Sequence, residues 1–230
     1  MVIREYVDKL EGDDFIHAQA MAWRDIRAFM EEDFIPLIQT APGGSVNGPG
    51  SSMGCTEPIV ERLPALLHRH QLTTMLDVGC GDWNWMRHVD LTGIDYTGWD
   101  VDIAQVARNR KLFGDRARFD AENILTVEDM PRYDVILCRD VLAHLPNEHI
   151  LAVLDRFRAS GSRYLLASTY PGASNEFEYN PEHFAWLGYC EHAVDLQERP
   201  FALAEIECIE ETPGPGGVIS LPHELGLFRL

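Results

Sequence analysis

The chain has 230 residues and a formal net charge of −18, a balance that disfavours nucleic-acid substrates, whose phosphates need clustered Lys and Arg. Its 46% hydrophobic and 24% charged residues suit one soluble domain with its own core, and no apolar run reaches the roughly 20 residues that cross a bilayer. The opening MVIREYVDKLEGDD lacks the apolar stretch of a signal peptide, and five scattered cysteines with no CxxC pair speak against disulfides and structural zinc, so a cytoplasmic protein is expected, with no membrane and no nucleic-acid partner.

From about Arg4 to Ile38 the pattern is helical, with Ile16, Ala20, Trp23, Ile26, Phe29 and Met30 at three- and four-residue steps. Residues 41–52, APGGSVNGPGSS, break it as a loop. A helix follows over about 57–70, with Pro58 in its first turn and Ile59, Val60, Leu63, Leu66 and Leu67 on one side.

An alternation of strands and helices comes next. Thr73–Val78, Asp95–Trp99, Ala117–Phe119, Tyr133–Cys138 and Tyr164–Ser168 read as strands. Helices are expected over about 83–89, 103–113 and 148–159. This order predicts parallel βαβ units in an α/β fold, a Rossmann-like doubly wound sheet. The apolar runs 201–210 and 224–230, with no helix between them, are expected as an antiparallel C-terminal strand pair closing one edge. The long insert 170–199 is read as a substrate lid. Residues 1–52 then form an N-terminal helical segment with a Gly-rich loop, as cap or lid, and 53–230 the ligand-binding domain.

The first strand runs into LDVGCGDWNWM (76–86). Ligands of open α/β sheets sit beyond the carboxyl ends of the strands, and Gly79 and Gly81 would let one approach the backbone. Asp77, at the strand end, can bond loop amides or a cationic amine. About 20 residues on, the second strand ends at Asp100, placed to hold ribose hydroxyls, although a helix N-cap role is open there too. The third ends in FDAEN (119–123), where the Asp120 carboxylate and the Ala121 amide could meet an adenine. A dinucleotide is the competing ligand, but its third glycine position falls on Asn84, and the Asp82 carboxylate would repel a pyrophosphate.

These residues, with YDVILCRDVLAHLP (133–146), resemble the motifs of class I S-adenosylmethionine (SAM)-dependent methyltransferases, over roughly residues 45–230. GPGSS (48–52) and SRYLLASTYPG (162–172) resemble a bacterial subgroup acting on small molecules. The resemblance implies SAM as cofactor. It implies a methionine-side loop of Asp77, Gly79, Cys80 and Gly81, ribose contact at Asp100 and Val101, adenine contact at Asp120 and Ala121, and Arg139 beside the methionine moiety. Many members carry a third glycine where this chain has Trp83.

Methyl transfer needs alignment first, and a hydroxyl acceptor also needs a base. His144, just past the fourth strand, is the first candidate and Asp140 the second, as base or amine anchor. Trp83, Tyr170, Tyr179, His183 and His192, with Glu176 and Trp186, are candidates for lining the acceptor pocket; Trp83 and Trp85 are equally open to buried packing. Strand five ends in Ser168-Thr169 rather than the Asp-Asn pair of catechol-type enzymes, so no metal is expected, although His183, His192 and Glu191 could hold one.

The leading expectation is a small-molecule O-methyltransferase acting on a sugar or natural-product hydroxyl. An N-methyltransferase, with Glu176, Glu178 and Asp140 around an amine, stands beside it. A nucleic-acid or protein methyltransferase and a non-enzymatic SAM-binding regulator are the remaining alternatives. Monomer and homodimer are both open.

Overall fold

A computed structural model describes residues 44–176, 192–211 and 223–230. The expected helices before residue 44 and most of the expected lid lie outside the described residues. Ten elements matter here: α1 (Met53–Arg69), β1 (Thr74–Val78), β2 (Asp95–Asp100), α2 (Ile103–Phe113), β3 (Arg118–Ala121), β4 (Val135–Cys138), α3 (Asn147–Ala159), β5 (Tyr164–Thr169), β6 (Glu205–Glu210) and β7 (Glu224–Arg229).

The strands form one sheet in the order β3-β2-β1-β4-β5-β7-β6. The first five run parallel, and β7 pairs antiparallel with both β5 and β6. The expected C-terminal pair is therefore present, with the last strand, β7, lying between β5 and the edge strand β6. The order reverses between β1 and β4, which makes their tips the switch point where ligands of such sheets bind.

Because side chains alternate across a strand, each central strand feeds two cores. Met75 of β1 and Val135 and Leu137 of β4 join Ile59, Leu63, Leu66 and Leu67 of α1 and Val106 of α2. Leu76, Val78, Ile136 and Cys138 face the other side, with Ile150, Val153, Leu154 and Phe157 of α3. Burial on both faces explains why these strands read as continuous apolar runs.

Two expected helices differ. Helix α1 begins at Met53, so Pro58 and Pro64 lie inside it rather than in its first turn. Its start is set at Ser52, whose carbonyl accepts from the Cys55 and Thr56 amides and from the Thr56 hydroxyl. The helix expected over 83–89 shrinks to a single 3₁₀ turn, Met86–His88. Trp83 sits at φ +56°, a left-handed conformation that an α-helix excludes, and the Asp82 carboxylate takes the Asn84 amide.

Candidate active site

The tip of β1 carries the Gly loop. Gly79 (φ +80°) and Gly81 (φ +53°) both need positive φ. A Cβ on Gly79 would lie 2.3 Å from Val141 Cγ2, so the loop packs directly on the segment leaving β4. The Gly79 and Cys80 amides donate to the Trp99 carbonyl at 2.8 and 3.0 Å, which ties the loop to β2. Cys80 turns its thiol inward, over Gly98, where a Cβ would come 2.9 Å from that sulfur. Burial, then Asp100 and Asp77, push this thiol well above its ordinary range, so it stays protonated.

Asp77 is buried and accepts a short hydrogen bond from the Tyr96 hydroxyl. Burial pushes its carboxyl up to about 7; the Tyr96 bond opposes this, Asp100 adds to it, and Arg139 opposes it. Two carboxyls and one guanidinium are therefore electrostatically coupled across the tips of β1, β2 and β4.

Asp100 closes β2. Its Oδ2 accepts from the Gly81 amide and its Oδ1 from the Asp102 amide, both at 2.9 Å. The carboxylate thereby braces the loop at the tip of β2. The N-cap of α2 is Asp102, which accepts from Ala104 and Gln105, and this frees Asp100 from that duty. Beyond it Val101 is 45% exposed, an apolar surface beside the tip. Ala121 is exposed at the end of β3 and pairs in register with Asp100. Arg110 of α2 bonds the Asp120 carboxylate at 2.6 Å.

Past β4 lies a charged cluster. Arg139 is buried and binds Glu211 through Nε and Nη2 (3.1 and 2.5 Å), the Gly50 carbonyl at 3.0 Å, and Asp140 at 2.7 Å. Asp140 also holds the Ser168 hydroxyl at 2.9 Å and His223 at 3.3 Å. Burial favours a neutral Asp140, but Arg139, His223 and Ser168 outweigh it and hold the carboxyl well below the carboxylate range. A carboxylate so stabilised is a poor proton acceptor, which favours the anchoring role of Asp140 over the base role. Burial disfavours a charged His223, but Asp140 and Glu211 raise its affinity for a proton.

Among the pocket-lining candidates, Trp83 is a correction. It is 1% exposed and packs on Tyr96, Phe113 and Phe119 with centroids at 5.8, 4.9 and 5.4 Å; it is core, not pocket wall. Trp85 is buried too, under the Arg139 guanidinium at 5.9 Å. Tyr170 is buried and stacks on His223 at 4.5 Å. His192 is 9% exposed; its amide donates to the Ala143 carbonyl, and burial, helped by the charge of His144, pushes its imidazole down to about 4. His144 ends a 3₁₀ turn (Leu142–His144), so the two histidines are neighbours at the β4 tip. Tyr179, His183, Trp186, Glu178 and Glu191 lie outside the described residues. Among the described residues, Glu205, Cys208 and Glu224 come within metal-binding reach of one another, on β6 and β7.

The sequence reading missed Tyr96, Glu211 and His223, and also Gln105 and Asn109, which lie beneath the loop.

A family model described as a methyltransferase domain matches residues 26–198. The chain belongs to this methyltransferase family. No protein of curated function matches the sequence significantly. Among solved structures, this methyltransferase resembles DhpI in complex with S-adenosylhomocysteine (SAH), at 17% identity over 95% of this chain and 98% of that one, with a TM-score of 0.59. It also resembles the magnesium protoporphyrin IX methyltransferase of Synechocystis PCC 6803 with SAH (16%, 74% and 81%, TM-score 0.52). A third is the N-methyltransferase NodS of Bradyrhizobium japonicum WM9 with SAH (16%, 74% and 87%, TM-score 0.51). At these identities the likeness is one of fold, and it agrees with a mostly parallel sheet closed by antiparallel strands. No described helix of the methyltransferase is long and apolar enough to cross a membrane.

Proposed function

We propose that the chain is a cytoplasmic enzyme that transfers the methyl group of SAM to a hydroxyl of a small molecule, such as a sugar or natural product. The observation that carries this reading is the coupled set of charged groups at the switch point, Asp77, Asp100 and Arg139, around a glycine loop. That donor set fits SAM: its ammonium and sulfonium are cationic, its ribose donates hydroxyl protons, and its carboxylate suits a guanidinium. When bound, SAM supplies a methyl group on a positive sulfur.

The chain's own residues bind and orient. Asp77 and the backbone of Gly79, Cys80 and Gly81 take the methionine side, with Arg139 beside it. Asp100 and Val101 take the ribose; Asp120 and Ala121 take the adenine edge. His144 holds the proton of the acceptor hydroxyl and Asp140 anchors the acceptor. Tyr170 and His192 stand on the acceptor side of the β4 and β5 tips. The net charge of −18 supports a small molecule over nucleic acid.

An amine acceptor is the second reading, favoured by the N-methyltransferase NodS among the similar folds and by the Asp140 carboxylate at the tip. Incubating the protein with labelled SAM and a panel of glycosides, polyphenols and amines separates the two. Transfer to hydroxyls supports the leading reading; transfer to amines alone overturns it.

A further inference from the structure

Beneath the glycine loop lies a buried polar pair on the first turns of α2. Asn109 is 0% and Gln105 1% exposed. Asn109 Nδ2 donates to the Gly81 carbonyl at 2.7 Å, and Asn109 Oδ1 accepts from Gln105 Nε2 at 2.9 Å. The Gln105 bond decides which end of the Asn109 carboxamide faces the loop. A buried side-chain amide without partners is costly, so a pair placed here needs the loop as much as the loop needs the pair.

Gly81 is held at both ends of its backbone: its amide by Asp100 at 2.9 Å and its carbonyl by Asn109. Asn47 covers it from the other side, where a Cβ would come within 2.9 Å of the Asn47 side chain. At φ +53° a glycine has no side chain to restrict it, so these bonds do the restricting.

We infer that Asn109, oriented by Gln105, is a positioning residue for the SAM-binding loop, fixing the Gly81 peptide in the ligand-competent conformation. This rests on the cofactor site proposed above. Asn109 touches no reacting atom. It acts by sparing the loop an ordering cost that ligand binding would otherwise carry.

The sharpest variant is Asn109→Asp. It is isosteric, leaves no cavity and, with the titration run at about pH 8.5 so that the buried carboxyl ionises, replaces the donor facing the Gly81 carbonyl with an acceptor. Calorimetry with SAH reads the result, with thermal unfolding in parallel. The expected outcome is a Kd raised about 10- to 100-fold, as for a lost buried hydrogen bond with its partner left unsatisfied. Gln105→Ala is expected to raise it less, since the carboxamide remains but is free to turn. Ser162→Ala, a buried residue bonded to the Tyr133 amide ahead of β5, is the control: it lowers the Tm and leaves the Kd unchanged. Asn109→Asp and Gln105→Ala binding SAH within twofold of the wild type overturns the inference, even if both lower the Tm. If Asn109→Asp fails to fold, Gln105→Ala decides by the same criterion. Wild-type protein that gives no heat with SAH removes the cofactor site itself, and the two failures are thereby distinguished.

Discussion

The buried carboxyl of Asp77 makes cofactor affinity depend on pH, and the size of the effect follows from the site. Its pKa is pushed to about 7, chiefly by burial, so its charge changes across the neutral range. A cationic ligand beside it binds the ionised form better, and binding releases a proton. With a pKa of about 7, the ionised fraction is about 0.09 at pH 6 and about 0.91 at pH 8, so affinity for SAM should rise about tenfold, or about 1.4 kcal/mol, across that interval. SAH keeps the ammonium but lacks the sulfonium charge, so its rise should be shallower. Stability in the absence of ligand runs the other way. A folded-state pKa raised above the ordinary 3.8 contributes stability that is complete below pH 3.8 and is lost as the pH climbs through about 7. The assay is calorimetry from pH 5.5 to 8.5 in buffers of different ionisation enthalpy, which counts the protons released. Asp77→Asn should flatten the profile and weaken binding throughout. A flat wild-type profile with no proton release would refute the reasoning.

Other substitutions test separate parts of the account. Gly79→Ala should abolish measurable SAH binding while the far-ultraviolet circular dichroism stays native, because the methyl would meet Val141 at 2.3 Å and φ is +80°. Trp83→Ala should cost about 3–5 kcal/mol in denaturant unfolding through lost core packing; a loss under about 1 kcal/mol would mean that Trp83 is not the core residue described. Glu211→Gln should cost a similar amount, about 3–5 kcal/mol, by leaving the buried Arg139 under-compensated, and an unchanged unfolding midpoint would contradict that. With an acceptor in hand, His144→Ala should slow transfer to a hydroxyl about 10²–10⁴-fold in single-turnover kinetics, whereas an amine acceptor should lose little.

The sheet and its ligand edge were legible because their causes are local. Buried parallel strands are continuous apolar runs, and the turn after β1 needs glycine at two positive-φ positions. Asp100 was legible for the same reason: it ends a strand about 20 residues after the loop it braces. For Trp83 the sequence left pocket wall and buried packing equally open, and the structure takes the second. The residue takes a left-handed conformation and drives its ring into the core. Strain of about 1–2 kcal/mol at such a residue is offset by burying an indole. Glu211 and His223 could not be foreseen, since Glu211 meets Arg139 across 72 residues of chain and the register of an antiparallel edge pair leaves no local trace. Asn109 was hidden differently: a polar residue in an amphipathic helix reads as solvated, and only the close approach of the Gly81 carbonyl gives it a partner.

The central claim is that the tips of β1, β2 and β4 bind an adenosyl cofactor through Asp77, Gly79, Gly81, Asp100 and Arg139. Titrating the purified wild-type chain and Asp100→Ala with SAH in a calorimeter tests it most directly. The account predicts saturable one-to-one heat for the wild type and its loss in the variant, whose Gly81 amide has no carboxylate to hold it. Wild-type protein that shows no heat, or a variant that binds as tightly as the wild type, would contradict it.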